Sequence, residues 1–170
     1  VLSYSTTGLK DSINPGIYIK NLKTNSSKQI HISHEKTKYF KLNLSNSGDK
    51  LAFVKDADST KTYQRPYELY LWDSSQKNSK LILDMDSSPD GYKVSPHGDI
   101  KFSKNESKLY FGLGLPEIVQ DTLLLDEEIV NVEVWTYDEP RLYTVQEKQI
   151  ENDMKKSFQT VYHIKDDKLI

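Results

Sequence analysis

The stretch Ser45-Asn46-Ser47-Gly48-Asp49-Lys50-Leu51-Ala52-Phe53 decides the fold, because a related stretch follows it at Ser103-Lys104-Asn105-Glu106-Ser107-Lys108-Leu109-Tyr110-Phe111. When Ser45 is aligned with Ser103, the residues Ser, Lys, Leu and Phe recur at four matched places. Each copy begins as a polar turn and continues as an apolar strand. Recurrence at a spacing of this length indicates an architecture made of successive supersecondary units.

A second recurring unit is an apolar strand with a central Tyr, followed by a polar turn and a Lys-led apolar strand. The first copy is Ile17-Tyr18-Ile19 with Lys28-Gln29-Ile30, and the second is Leu69-Tyr70-Leu71-Trp72-Asp73 with Lys80-Leu81-Ile82-Leu83. The third is Val161-Tyr162-His163-Ile164 with Lys168-Leu169-Ile170. The two kinds of unit alternate along the chain, so that each repeat contains four strands joined by turns.

Four antiparallel strands per repeat are typical of the blades of a β-propeller. One complete blade is expected over residues 39–84, with strands near Tyr39–Ser45, Lys50–Lys55, Tyr67–Asp73 and Lys80–Asp84. The second of these strands is apolar on both sides, which predicts that neighbouring blades cover both of its faces. A β-sandwich also has short strands at regular spacing. Matched side chains at matched offsets favour the propeller.

The sequence therefore predicts an all-β chain, a partial β-propeller of about two to three four-stranded antiparallel blades with a short helix in an insertion. The first blade is expected only as its last two strands, Gly16–Leu22 and Lys28–Ser33, a partial blade over residues 16–33. The third is expected over residues 99–170. Together these units make residues 1–170 one propeller fragment rather than several domains.

The third blade is longer than the complete one. Leu109 and Val161 are almost three times as far apart in the sequence as the matched pair Leu51 and Leu69, so the third blade contains an insertion. We expect it to protrude over about 113–158, with a strand at Val132–Tyr137 and a helix at Glu147–Ser157. That helix would place Ile150 and Met154 on one face and pair Glu151 with Lys155.

Composition excludes several classes of protein. The 25 acidic and 23 basic side chains leave a formal charge of −2, which offers no footprint for nucleic acid or an anionic membrane. No apolar run approaches the roughly 20 residues that span a bilayer, and there is no Cys for disulfide or thiolate chemistry. Because the chain starts at Val1 without a signal segment, it is expected to be a mature or excised piece.

Motifs for catalysis, cofactors and metals are not found. The sequence has no Gly-x-Ser-x-Gly nucleophile elbow, and its four His residues, His31, His34, His97 and His163, have no ligand spacing. Asp84-Met85-Asp86 with Asp90-Gly91 lacks the Glu that closes a calcium loop, so Ser88-Pro89-Asp90-Gly91 and Ser95-Pro96-His97-Gly98 are predicted to be turns. Gly112-x-Gly114 lacks the third Gly of a dinucleotide site and is expected to be a turn at a strand end.

Aromatic residues are the remaining functional signal. Trp72 and Trp135 each follow an alternating apolar strand, and the Tyr-rich segment Tyr63–Tyr70 lies before one of them. Such rings stack on ligands or pack between blades. Packing between blades is the preferred interpretation.

The assembled strands resemble the N-terminal propeller of the prolyl oligopeptidase/dipeptidyl peptidase IV family of serine peptidases, in the form common in Bacteroidetes-type bacteria. The resemblance rests on Ile100–Ser103 running into Lys108–Gly112, on the inserted Val132-Glu133-Val134-Trp135, and on Gln159–Ile164. It covers most of residues 39–170. The blade motifs are shared with TolB-type propellers, so the insertion discriminates better than they do.

The resemblance implies a secreted or periplasmic parent whose propeller gates the access of peptide substrates to a C-terminal α/β-hydrolase domain. No residue here matches the catalytic Ser, Asp or His motifs of that family, so no catalytic, cofactor-binding or metal-binding residue is assigned in this chain, and the resemblance implies that the parent is a serine peptidase. Copies of such a fragment are expected to self-associate through open blade edges. The alternative from another class is a non-catalytic propeller scaffold that binds a protein or glycan partner.

Overall fold

A computed structural model describes residues 1–6, 14–56, 60, 62–117, 138 and 140–170, which form three antiparallel sheets and one helix. The first sheet has the order β1 (Leu2–Thr6), β2 (Gly16–Lys20), β3 (Ser27–Ile32). The second has the order β4 (Lys38–Leu44), β5 (Lys50–Asp56), β6 (Tyr67–Asp73), β7 (Lys80–Leu83). In the third, β12 (Lys168–Leu169), β11 (Phe158–His163) and β10 (Lys108–Gly114) are consecutive, and both β8 (Lys93–Val94) and β9 (Lys101–Phe102) pair with β10. The helix α1 (Tyr143–Met154) lies between β10 and β11 in the chain.

The all-β class predicted from the sequence is confirmed. All four strands expected between residues 39 and 84 are present, each within one residue of its expected bounds. The sequence predicts these strands correctly because each is a short apolar segment bounded by turn residues. Such a segment buries its side chains by pairing with the strands next to it along the chain. The second sheet is thus a four-stranded meander.

Two of the expected boundaries are wrong. The first sheet has three strands rather than two, because β1 pairs with β2 and its Tyr4 ring stacks on Tyr18 at 5.6 Å. The third sheet begins at Lys93 rather than at residue 99, because Val94 pairs with Leu113 at the far end of β10. Both additions are short strands that have no second copy in the sequence, so the repeats do not reveal them.

The second sheet has apolar side chains on both faces, and a neighbouring sheet covers each face. On one face Leu51, Phe53 and Trp72 form a buried cluster with residues of the first sheet, Ile17 and Ile30. The opposite face contributes Ala52, Val54, Leu69, Leu71 and Leu83 to a second cluster with Val94, Ile100, Leu109, Phe111, Leu113 and Tyr162. The three sheets are therefore stacked face to face in chain order, as the apolar pattern of β5 predicts.

The sequence repeat is reproduced in backbone hydrogen bonds. The Ser45 amide donates to the Lys50 carbonyl at 2.8 Å, and the Ser103 amide donates to the Lys108 carbonyl at 3.0 Å. Each Ser hydroxyl also accepts from the amide of the matched Lys, at 3.1 Å in the first copy and 3.0 Å in the second. The recurring Ser and Lys are thus the two ends of one turn that is built twice.

The expected burial of the repeated apolar residues is confirmed as well. Leu51, Phe53 and Leu109 are fully buried, and Phe111 is 1% exposed. All four lie in the strand that follows the repeated turn, β5 or β10, and face the preceding sheet. Successive repeats therefore place the same side chains in the same environment.

The second recurring unit is confirmed for its first two copies. Strand pairing shifts between Ile17 and Tyr18 in β2 and, at the matched place, between Leu69 and Tyr70 in β6. The two strand pairs thus share one bulge as well as one sequence pattern. A bulge at the same place in both repeats gives β3 and β7 the same direction relative to β2 and β6, the strands before them.

The third copy is displaced from its predicted alignment. In the structure Tyr162 pairs with Leu109, just as Trp72 pairs with Leu51. Tyr162 therefore occupies the place of Trp72 and not that of Tyr70. A shift of two positions keeps a side chain on the same face of a strand, which explains why the sequence pattern still matched.

Glu106, in the turn before β10, links that turn to the matching turn before β5. Its backbone has a φ of 54°, in the left-handed region, where the first turn has Gly48 with a φ of 80°. The Glu106 carboxylate accepts hydrogen bonds from the Ser47 amide at 2.7 Å and from the Ser47 hydroxyl at 2.8 Å. Both bonds lower the pKa of Glu106, and the bond from the Ser47 amide has the larger effect. The turn of the third sheet is therefore fastened to the turn of the second by one carboxylate.

The sequence predicts a turn at Gly112 and Gly114, but both residues lie in strand β10. A Cβ on Gly112 would lie 2.7 Å from the Gly98 Cα and 3.0 Å from the Ser157 Cβ. The glycine is needed because two backbone segments approach closely here. The Gly-x-Gly pattern is therefore the part of strand β10 that lies against the bend at Gly98 and the residue before β11.

We expect Gly112→Ala to lower the free energy of unfolding by about 1–3 kcal/mol, the usual cost of overpacking a closed site. Gly114→Ala is the matched control, since its added methyl would meet nothing closer than the Ser95 Cβ at 3.4 Å. Urea unfolding of both variants checks the difference. Equal stability of the two would show that the Gly98 segment moves away freely.

Candidate functional site

The candidate site is built around helix α1, which occupies part of the insertion in the third sheet. The helix spans Tyr143–Met154, whereas the sequence predicts a helix over Glu147–Ser157. The predicted pair Glu151–Lys155 is present, with 3.7 Å between the carboxylate and the ammonium group. The strand expected at residues 132–137, and with it Trp135, lies outside the described residues.

The early start of the helix depends on Arg141, which precedes it. Its carbonyl accepts a hydrogen bond from the Gln146 side chain at 2.8 Å, and its guanidinium donates to the Gln149 side chain at 2.7 Å. The same guanidinium lies 2.9 Å from the Asp153 carboxylate. These side-chain contacts hold a first turn containing Tyr143 and the β-branched Val145, which have modest helix propensity.

Helix α1 buries none of its side chains. Large apolar residues of the helix and of the chain beside it are exposed, namely Leu115, Leu142, Tyr143, Val145, Ile150, Met154 and Phe158. Ile150 and Met154 share one face, as predicted. Exposed apolar residues that adjoin one another mark an interaction or ligand surface more often than scattered ones do.

A groove of about 490 Å³ lies between this face of α1 and the ends of β10 and β11. Its apolar wall is formed by Leu115, Pro116, Tyr143, Ile150, Met154 and Phe158. We call it the α1 groove. Its volume is in the range of pockets that hold small ligands or a short stretch of a peptide.

The charged side chains that line the α1 groove are Glu117, Arg141, Glu147, Asp153 and Lys156. Asp153 is held between two cations, with 2.9 Å to Arg141 and 2.6 Å to Lys156. The hydrogen bonds from Lys156 and Arg141 lower the pKa of Asp153. Asp153 is thus paired with two cations and Glu117 with Lys93, which leaves Glu147 as the lining carboxylate without an ion pair among the described residues.

A buried charge cluster fixes the root of the groove. Lys93, with 6% of its side chain exposed, forms an ion pair with Glu117 and lies 5.4 Å from the centre of the Tyr67 ring. The Glu117 carbonyl accepts a hydrogen bond from the Gln64 side chain at 2.7 Å. The ion pair joins the segment after β10 to β8, and the Gln64 bond joins it to the connection between β5 and β6 of the second sheet, so this wall of the groove is anchored.

The two members of this ion pair should respond differently to neutral substitution. We expect Glu117→Gln to cost about 1–3 kcal/mol, because it leaves a buried ammonium group without its counter-charge. Lys93→Met should cost less, since the Glu117 side chain is 32% exposed and water can solvate it. Thermal unfolding of the two variants measures the order, and a larger loss for Lys93→Met would mean that packing of the lysine stem dominates.

None of the His residues in the described part of the chain belongs to a metal-ligand group, and no group of three or more His, Cys, Asp or Glu is found there. The Asp84 carboxylate accepts from the Ser87 amide at 2.8 Å and from the Ser87 hydroxyl at 2.6 Å. Both bonds lower the pKa of Asp84, and the bond from the Ser87 hydroxyl has the larger effect. Gly91, with a φ of 78°, closes the next turn. The region of the calcium-like pattern is thus a pair of turns.

A hydroxyl and an imidazole do lie together at one place, where the Ser79 Oγ is 2.8 Å from the His31 Nδ1. His31 is only 9% exposed and is surrounded by the rings of Tyr39, Phe53 and Tyr70. The base of such a pair is thus enclosed, although Ser79 itself is half-buried, and no hydrogen bond to the His31 Nε2 orients the ring as in a catalytic triad. Trp72, 4% exposed, is likewise a packing residue, as expected.

Three contacts are not visible in the sequence: the Lys93–Glu117 pair, the Arg141 contacts and the Glu106 link. Each joins residues that no local motif relates. Glu106 alone carried a signal, since a Glu stands where the first repeat has Gly48. A non-glycine residue at a place that favours φ above zero is a sign of a special contact.

Comparisons with protein-family models, with curated proteins and with solved structures find no match for this chain. In the described part of the chain, no helix is both long enough and apolar enough to cross a membrane.

Proposed function

We propose that the chain is a run of propeller blades that catalyses no reaction itself and controls the approach of peptide substrates to a hydrolase domain of a secreted or periplasmic parent protein. The observation that carries the proposal is the second sheet, whose two faces are covered by the preceding and following sheets at matched positions. Stacking of four-stranded meanders in chain order is how propellers are assembled. The activity of the parent rests on the family resemblance alone.

The α1 groove is the proposed contact with the peptide. An insertion in a repeat protein extends from one face, which is often the binding face. The apolar wall suits hydrophobic side chains, and the carboxylate of Glu147 suits a peptide that also carries a positive charge. Met154 adds an adaptable contact, since a thioether side chain can adjust to different partners.

The experiment uses the complete parent protein and a series of peptides of equal length, with an apolar residue followed by Lys, Gln or Glu. We expect cleavage to be fastest for the Lys peptide, and Glu147→Gln to reduce that preference. Glu151→Gln is the matched control, because Glu151 belongs to the same helix but points to solvent, with 83% of its side chain exposed. Equal effects of the two substitutions would contradict a role of the groove.

A second candidate function, a scaffold that binds a protein partner without hydrolysis, is favoured by the exposed apolar side chains of α1. The two candidates differ in the reading frame of the parent. A Gly-x-Ser-x-Gly elbow followed by Asp and His would support the peptidase. A frame that completes a ring of blades and encodes no hydrolase domain would leave the scaffold.

A further inference from the structure

A hollow of about 400 Å³ lies on the third sheet and shares no lining residue with the α1 groove. Its wall comes from three places: the connection between β8 and β9 with the start of β9, the middle of β10, and the start of β11 with the residue before it. We call it the β9–β10 hollow. Its volume is in the range of about 300–1,000 Å³ that is usual for small-ligand sites.

The hollow exists because the third sheet has two glycines where the second sheet has large side chains. At the spacing of the repeat, Gly98 takes the position of Phe40, and Gly112 takes that of Val54. In the second sheet, Phe40 pairs with Val54, and both pack in the cluster between the second and third sheets. The two glycines are neighbours in the same way, since a Cβ on Gly98 would lie 2.5 Å from the Gly112 Cα. The third sheet therefore lacks apolar side chains at this place.

Polar side chains line the hollow instead. Four of them have no hydrogen-bond partner in the described part of the chain, namely His97, Tyr110, Ser157 and Gln159. An imidazole, a phenol, a hydroxyl and an amide can each both donate and accept. A few polar groups that converge on a concave site give a small-ligand site its specificity. The hollow thus offers several donors and acceptors to one ligand.

The charges at the hollow disfavour an ion of either sign. Asp99 and Lys101 both belong to the wall. The Asp99 carboxylate lies 3.2 Å from the Lys41 ammonium group and 3.5 Å from that of Lys101. An anion would meet the carboxylate, and a cation would meet the two ammonium groups. The wall therefore favours a ligand that is polar and uncharged.

We propose that the β9–β10 hollow binds a neutral sugar unit, either free or at the end of a glycan. Each sugar hydroxyl donates and accepts hydrogen bonds, as the four polar side chains of the wall do. The apolar C–H face of a sugar ring can lie on an aromatic ring, which Tyr110 supplies. Gly98 and Gly112 have no side chains to keep the ligand away from the backbone. The site is independent of the α1 groove and of the proposed role in a peptidase.

Titrations followed by NMR test the proposal. The probes are glucose, galactose, mannose and N-acetylglucosamine, each as the free sugar and as its methyl glycoside. We expect at least one of them to shift the amide signals of residues 97–101, 110–112 and 157–159 together and to leave those of α1 unchanged. Binding of a free sugar but not of its glycoside would indicate a free ligand, and equal binding of both would indicate the end of a glycan. Glycerol is the control for unspecific contact with hydroxyl groups, and acetate and methylammonium test ions of each sign.

A substitution in the wall locates the ligand. Gln159→Ala should weaken binding of the sugar about threefold to tenfold, the usual contribution of one hydrogen bond. Gln76→Ala is the matched control, because Gln76 is as exposed as Gln159 but lies in the turn between β6 and β7. The proposal is overturned if no sugar shifts these signals, if glycerol or an ion shifts them as strongly as the best sugar, or if the two substitutions have equal effects.

Discussion

Phe53→Ala is expected to lower the free energy of unfolding by about 3–5 kcal/mol, the cost of emptying a buried aromatic site. Phe53 is fully buried and stacks on Tyr70 with 5.4 Å between ring centres, while the His31 and Tyr39 rings meet it edge to face. Chemical unfolding of the variant measures the loss. The exposed Phe158, changed in the same way, is the control and should cost about 0.5 kcal/mol or less.

Phe111→Ala should have a similar cost but a different location. Phe53 belongs to the cluster between the first and second sheets, and Phe111 to the cluster between the second and third. In stacked repeats each unit mainly contacts its neighbours, so local opening follows the damaged interface. Hydrogen exchange should accelerate in β1–β3 for Phe53→Ala and in β10–β12 for Phe111→Ala. Identical exchange patterns would contradict the stacked arrangement.

Acid should destabilise the interface between the first and second sheets through His31. Burial, and secondly the charge of Lys55, lower the pKa of His31 from 6.5 to about 4. The unfolded chain therefore binds a proton that the folded chain does not, and stability falls as the pH drops from about 6.5 to about 4. At about 1.4 kcal/mol per pH unit, the full loss is about 3 kcal/mol.

The free energy of unfolding, measured between pH 4 and pH 8, tests this expectation. Stability should be constant with respect to His31 above about pH 6.5, and His31→Gln should flatten the decline below it. The exposed His34, replaced by Gln, is the control and should keep the decline. A wild-type profile that is flat between pH 4 and pH 6.5 would mean that His31 is solvated in the folded protein.

Much of the fold could be predicted from the sequence because the repeats carry it. Turn residues such as Ser45 and Ser103 mark strand boundaries by local hydrogen bonding, and apolar residues such as Phe53 mark the faces of β5. These signals are local, so one sequence suffices to read them. The edge strands β1 and β8 are held by pairing with β2 and β10, and that information is not local.

The candidate site could be predicted only in outline. The length of the insertion and the shared face of Ile150 and Met154 were visible in the sequence. The burial of Lys93 was not, because a lysine normally lies at the surface and its partner Glu117 is distant in the sequence. The start of α1 depends on side-chain contacts of Arg141, which propensity does not include.

The insertion also determines the order in which the sheets form. Asp56 and Tyr67 pair across a short connection, whereas Leu113 and Phe158 pair across one that is several times as long. The entropy of closing the longer loop adds about 1 kcal/mol to the cost of that pairing. Long-range pairing slows folding, so we expect the β5–β6 hairpin to form first and β11 to pair with β10 later. During synthesis, the edge of β10 that pairs with β11 therefore stays unpaired until the residues between the two strands have been made. We expect misfolding to start most easily at this edge.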